Sequence, residues 1–163
     1  MSELRIAGVV GESITDGPGF RFTVFTQGCP HHCPNCHNPG SWSFDGGMEF
    51  TMDTLDTIIK GLTAQGIKRN LCIMGGEPLC LENAFLTYFV ISKAKEAIPD
   101  VKVYVWTGYT LEQLELLKYP RVLDVLKLAD YLIDGPYIDS LRDITLPMRG
   151  SRNQRIIDLS KKI

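Results

Sequence analysis

The chain has 163 residues, 44% of them hydrophobic, and its 17 basic and 19 acidic side chains leave a net charge of −2. That size suits one domain, residues 1–163, around a single core, and the near-neutral charge argues against a nucleic-acid binder that depends on counterion release. No basic start leads into an apolar segment and no run approaches the roughly 18 apolar residues of a membrane span, so a cytoplasmic protein without membrane association is expected.

Taken in order, residues 4–10 form a short apolar strand, and Asp16-Gly17-Pro18-Gly19 turns the chain tightly. Residues 20–27 then alternate, with Phe20, Phe22 and Val24 on one face and Arg21, Thr23 and Phe25 on the other, the period of a strand. This strand delivers the chain into a loop, Gly28-Cys29-Pro30-His31-His32-Cys33-Pro34-Asn35-Cys36-His37-Asn38-Pro39. Residues 41–49 are turn-rich. Thr51 caps a helix with Leu55, Ile58, Ile59 and Leu62 on one stripe and Gly66 as its stop.

Residues 71–74 are a short apolar run, as in a strand buried on both faces, ended by Gly75-Gly76-Glu77-Pro78. A second helix over 83–97 precedes Pro99 and a strand over 101–106. A third opens on the capping box at Thr110 to Gln113 and carries Leu111, Leu114 and Leu117. A further strand over 128–133 ends at Asp134-Gly135-Pro136. Strands alternating with helices predict an α/β fold with a mainly parallel sheet. A full eight-unit barrel needs about 250 residues, so the chain has room for an open, partial (β/α) barrel with about five or six parallel strands.

Three candidate features fall at strand ends: the cysteine loop, Gly75-Gly76-Glu77-Pro78, and Thr107-Gly108. In a parallel sheet such ends share one rim and line one site. The loop spaces its cysteines C-x3-C-x2-C, too crowded with proline for a regular element. The chain has five cysteines, an odd number, which in a reducing compartment read as metal ligands or reactive thiols rather than as disulfides. Three thiolates so close suit zinc or an iron–sulfur cluster. For zinc, His31, His32 or His37 would complete the tetrahedron, and the chain would be a zinc-stabilised binding module. For a cubane cluster, three cysteines leave one iron open. Cys72, inside an apolar strand, reads as a core residue, and Cys80 sits just past the glycine turn. His31 and His32 fall on the exposed bulge between Cys29 and Cys33, where a solvated role is expected.

The cysteine spacing after one strand and Gly75-Gly76-Glu77-Pro78 after another resemble the radical S-adenosylmethionine superfamily. More narrowly, Asp16-Gly17-Pro18-Gly19-Phe20-Arg21, the loop from Cys29 to Pro39, Trp106-Thr107-Gly108-Tyr109 and Arg149-Gly150-Ser151-Arg152-Asn153-Gln154 resemble the family that activates anaerobic ribonucleoside-triphosphate reductase, over nearly the whole chain. The glycine often found before the third cysteine in that family is Asn35 here. The resemblance implies that Cys29, Cys33 and Cys36 ligate a 4Fe-4S cluster, with S-adenosylmethionine on the open iron. Its cleavage by one electron from a low-potential donor would give a 5′-deoxyadenosyl radical. That radical would take a hydrogen from a glycine of the partner, a glycyl radical enzyme.

Cofactor contacts are implied at Asn35, Cys36 and His37, and at Gly75 and Gly76, where missing side chains let the amino group approach the backbone and Glu77 offers an acceptor. Thr107 and Gly108 are further candidates for ribose or carboxylate contacts, or else a plain turn into the Thr110 cap. A radical S-adenosylmethionine enzyme acting on a small molecule is the alternative within the same chemistry. The tail from 142 to 163 sets Arg142, Arg149, Arg152, Arg155, Lys161 and Lys162 against Asp143 and Asp158. Such a run is a solvated face or, over 149–154, the rim where the partner docks. Asp134, at a strand end, is a candidate to orient cofactor or substrate, or else a turn aspartate.

Overall fold

A computed structural model describes residues 4–13 and 19–161. The expected turn at Asp16-Gly17-Pro18 and the charge of Lys162 lie outside the described residues. Among the described residues, seven strands form one mixed sheet in the order β3-β1-β2-β4-β5-β6-β7. They are β1 (Arg5–Ser13), β2 (Arg21–Thr26), β3 (Met48–Glu49), β4 (Asn70–Gly75), β5 (Val103–Trp106), β6 (Tyr131–Asp134) and β7 (Arg155–Asp158). β2, β4, β5 and β6 run parallel, whereas β1, β3 and β7 pair antiparallel. Parallel pairing thus involves four strands among the described residues, fewer than the five or six expected. Only residues 14–20 separate β1 from β2, fewer than the dozen or so that a parallel crossover needs, and β7 folds back antiparallel on β6.

Four helices join the parallel strands: α1 (Met52–Gly61), α2 (Leu81–Ala97), α3 (Leu111–Leu117) and α4 (Pro120–Leu128). Thr51 caps α1 and Thr110 caps α3, each in a reciprocal capping box. α1 stops at Gly61, earlier than Gly66, where Leu62 buries itself in the core and the chain leaves through a 3-10 turn at Ala64–Gly66. Lys118 then ends α3 in the left-handed conformation at φ 54°. α4 has no counterpart in the expected element order; Pro120 in its first turn supplies the fixed φ that favours a helix start. It absorbs Leu128, so the last parallel strand begins at Tyr131 rather than at 128.

The main core lies where the helices pack on the sheet, with Phe22, Val24, Ile73, Val103, Val105 and Leu132 reaching helix residues such as Ile58, Leu86, Leu114 and Val125. The opposite face carries a smaller cluster, Cys72, Tyr104 and Ile133, against Trp106, Tyr131 and Met148. β2 therefore keeps the expected alternation: Phe22 and Val24 turn to the helices, while Phe25 lines a cavity on the other side. Arg21 lies buried in β2, and its guanidinium has no hydrogen-bond partner among the described residues.

Candidate functional site

The loop after β2 is fastened at both shoulders. Gly28 donates to the Ser41 carbonyl (2.7 Å) and Cys29 to the Trp42 carbonyl (3.1 Å). From the other side, the Glu77 amide and the Asn83 side chain both donate to the Gly28 carbonyl, at 2.8 and 3.1 Å. These bonds hold the loop against the turn that follows β4. Gly75 takes φ +107°, and a Cβ there would stand 2.5 Å from the Thr26 amide. A Cβ on Gly76 would stand 2.3 Å from the Gly28 carbonyl oxygen. The two glycines are thus required first by the approach of loop and turn, before any ligand is considered.

A cavity of about 490 Å³ opens where β2, β4 and β5 end. Cys29, Cys33 and Cys36 line it, as do Gly75 and Gly76. His37, Thr107 and Gly108 also reach it. Its floor is apolar, from Phe25, Met74 and Trp106, and Leu146, Met148 and Arg149 bound it on the side of the C-terminal loop. Features far apart in the chain therefore share one hollow at the strand ends.

Two predicted residues stand off the cavity wall. Asn35 takes the left-handed conformation at φ 59°, which asparagine tolerates better than most residues. Its amide points away to donate to the Asp139 carboxylate at 3.0 Å. Asp139 also accepts from Tyr137 at 2.8 Å, and the Tyr137 hydroxyl first, the Asn35 amide second, hold its carboxyl below the usual range. Glu77 is completely buried. Its Oε1 accepts from His31 Nε2 and the Gly108 amide, both at 2.7 Å. Its Oε2 accepts from the Leu79 amide and the Thr107 hydroxyl, both at 2.8 Å. Four donors occupy the carboxylate, so its expected role as an open acceptor for a ligand amine gives way to that of a hub behind the wall.

His31 is accordingly not a solvated bulge residue. Its side chain is 19% exposed, bonds to Glu77, and meets Tyr109 edge-on with ring centroids 4.5 Å apart. No local pattern marks this, because its partner lies 46 positions away. His32 is exposed and stacks on Trp42 at 4.6 Å, and His37 lies 5.4 Å from the Tyr137 ring. Among the described residues no three His, Cys, Asp or Glu side chains come close enough together to hold a single metal ion. With its histidines turned to these neighbours, the loop does not assemble the tetrahedron of a structural zinc site. A polynuclear cluster places its thiolates on different irons, so it accepts sulfurs spread around one hollow, and the three cysteines around this cavity fit it. Burial pushes the Cys29 thiol up, with backbone N–H groups of His31 and His32 opposing and the Glu77 carboxylate adding to the rise. The Asn38 amide donates to Cys36 Sγ at 3.4 Å, the kind of bond that tunes a sulfur ligand.

Asp134 is more than a turn residue. It is buried at the end of β6, accepts from the Leu111 amide at 2.8 Å, and pairs with Arg155 Nε at 3.0 Å. Arg155, half-exposed, also bonds Glu112. In the 149–154 stretch, Gln154 accepts from the Gly150 amide and donates to the Gly135 carbonyl, which sets this segment on the cavity rim.

A family model described as a 4Fe-4S single cluster domain matches residues 15–157. The chain is 36% identical over 142 residues to the anaerobic ribonucleoside-triphosphate reductase-activating protein of Escherichia coli, covering 86% of this chain and 90% of that protein. It is 39% identical over 144 residues to the protein of that name from Haemophilus influenzae, covering 88% and 90%. The corresponding protein of Enterobacteria phage T4 is 35% identical over 141 residues, covering 86% and 85%.

Proposed function

The chain belongs to the family of anaerobic ribonucleoside-triphosphate reductase-activating proteins and carries a 4Fe-4S single cluster domain, and from that premise we propose that it activates a glycyl radical partner, anaerobic ribonucleoside-triphosphate reductase, as a radical S-adenosylmethionine oxidoreductase. One observation carries the reading. Three cysteines face the same hollow as the turns at Gly75-Gly76 and Thr107-Gly108. Cys29, Cys33 and Cys36 would hold the cluster. Cys36, His37, Gly75, Gly76, Thr107 and Gly108 offer the surface for S-adenosylmethionine, and Asn35 and Glu77 brace that surface from outside the cavity. When bound, the cluster and S-adenosylmethionine supply, with an electron from a low-potential donor, a 5′-deoxyadenosyl radical able to take a hydrogen atom from a glycine α-carbon.

The remaining steps fall to the chain's own residues. Phe25, Met74 and Trp106 make the floor apolar and keep water from the reacting atoms. Four parallel strands ending around the cavity support an open partial barrel of the radical S-adenosylmethionine type. No helix of the described residues is long and apolar enough to cross a membrane. The segment 149–154, with Arg149 at the mouth and Arg152 exposed beside it, supplies the surface on which the partner's glycine segment docks.

The test is made without oxygen. Protein purified and reconstituted anaerobically should contain iron and sulfide and, with reductant and S-adenosylmethionine, should raise a glycyl radical signal by electron paramagnetic resonance in the reductase. Absence of a cluster sinks the reading. Cleavage of S-adenosylmethionine with no radical in the reductase would point instead to a small-molecule substrate. Replacing Arg149 and Arg152 by alanine should lower partner activation and leave unpartnered cleavage of S-adenosylmethionine intact. Unchanged activation removes the docking assignment.

A further inference from the structure

The Glu77 carboxylate joins three pieces of backbone that the chain delivers separately. Its donors come from the cysteine loop (His31), from its own turn (Leu79) and from the turn after β5 (Thr107 and Gly108). Within the loop, His31 is the member that reaches it. Among the described residues, no other side chain between Cys29 and Cys36 hydrogen-bonds to either turn: Asn35 bonds Asp139, and His32 lies on Trp42. The His31 ring is confined as well as bonded. A Cβ on Gly108 would stand 2.7 Å from ring atom Cδ2, and Tyr109 closes the ring in edge-on. A ring held by a buried acceptor, a glycine and an aromatic edge has one place to sit, and moving it moves the loop that carries Cys29 and Cys33.

We propose that His31 is a positioning residue that couples the two halves of the site, so that the cysteine loop and the turns at 75–78 and 107–108 order together and S-adenosylmethionine meets a surface already aligned with the cluster. The inference rests on the function proposed above. It predicts that cutting the His31–Glu77 bond weakens S-adenosylmethionine binding even where the three cysteines still load iron. A purely local role for His31 would alter loading or thermal stability alone.

The experiment uses the anaerobically reconstituted protein with His31→Phe, His31→Ala and His31→Gln. Phenylalanine fills the ring's space without the bond, and the glutamine amide can donate to Glu77 in its place. Iron and sulfide per chain, the affinity for S-adenosylmethionine by equilibrium dialysis, and the change it causes in the reduced cluster's paramagnetic resonance spectrum are measured for each. H31F should load iron as the wild type does and bind S-adenosylmethionine about tenfold to a hundredfold more weakly, the range expected for one lost bond to a charged group. Its spectral response should shrink, and H31Q should recover most of both. H31F binding within twofold of the wild type overturns the inference, as does equal impairment of H31F and H31Q. An H31F protein that holds no cluster while H31Q does also overturns it, by confining His31 to the cluster loop. A wild-type protein without cluster or without any response to S-adenosylmethionine would instead overturn the proposed function.

Discussion

Glu77 is the side chain whose removal should be felt most widely, and the cost can be worked from its four bonds. Two of the donors, the amides of Leu79 and Gly108, are fixed backbone groups. The other two can adapt: the His31 ring by changing tautomer, the Thr107 hydroxyl by rotating. In Glu77→Gln the new amide nitrogen replaces one oxygen. At the Oε1 position it can be accepted by His31 but faces the Gly108 N–H; at the Oε2 position it faces the Leu79 N–H. Either way one buried backbone donor loses its acceptor, at about 1–3 kcal/mol. Glu77→Ala strands both amides and leaves a hole, for about 3–5 kcal/mol. For a chain of this length each kcal/mol moves Tm by about 2–4 °C. The glutamine variant should therefore melt about 2–12 °C below the wild type and the alanine variant further still. Thermal unfolding of the metal-free protein by circular dichroism measures both. Should the alanine variant melt within a degree or two of the wild type, the hub assignment is wrong. If glutamine costs as much as alanine, the charge and not the donor count is what matters.

Other outcomes follow from individual side chains. Alkylation of the native metal-free protein at pH 8 should reach half-buried Cys33 and Cys36 first and Cys29 more slowly, its thiol held up by burial. Cys80, also pushed well up by burial and donating to the Glu77 carbonyl at 3.2 Å, should resist. Mass spectrometry finding Cys80 modified as fast as Cys33 would contradict this. The Asp139 carboxyl is depressed by Tyr137 and then by Asn35, so its link to the loop is fully made above the unfolded value of about 3.9 and is lost as pH falls through the lower folded value. Asn35→Gly should raise the Asp139 midpoint seen by carbon NMR without abolishing the shift, since Tyr137 is the larger cause. An unmoved midpoint means the Asn35 bond is not formed in solution. Arg155→Leu leaves the buried Asp134 with the Leu111 amide alone. After discounting for the half-exposed guanidinium it should cost about 1–3 kcal/mol in urea unfolding, whereas Glu112→Ala, at the exposed end of the same arginine, should change stability little. Equal losses from the two would place the stabilising pair on the surface.

The parts of the site that were legible in the sequence are those whose physics is local. A C-x3-C-x2-C loop after an alternating strand, a double glycine after an apolar run and a capping box at Thr110 each declare themselves within a dozen residues. Period-2 patterning in β2 likewise put Phe22 and Val24 on one face, and that face packs on the helices. What stayed hidden depends on partners far apart. Leu128 looked like the start of a strand because a short apolar run does not distinguish a helix end from a buried strand, and α4 claims it. β7 is a strand only through its antiparallel ladder with β6, with Arg155 drawn in by Asp134 across 21 positions.

The composition of the glycine turn has a structural cause as well. Gly75-Gly76-Glu77-Pro78 invites a reading in terms of a ligand, with bare backbone for an amino group and a carboxylate to receive it. The geometry assigns those residues a prior task. Gly76 is bare because the Gly28 carbonyl occupies the place of its Cβ, and Glu77 is buried because four donors from three segments need one acceptor. Both tasks bring the cysteine loop against the turn, and the hollow between them exists only once they are done. A substitution at Gly76 should therefore abolish ligand binding through displacement of the loop, whether or not the residue touches the ligand. Loss of binding at Gly76 or Glu77 is then weak support for a direct contact, and Thr107 and Gly108, at the cavity wall and on the same carboxylate, call for the same caution.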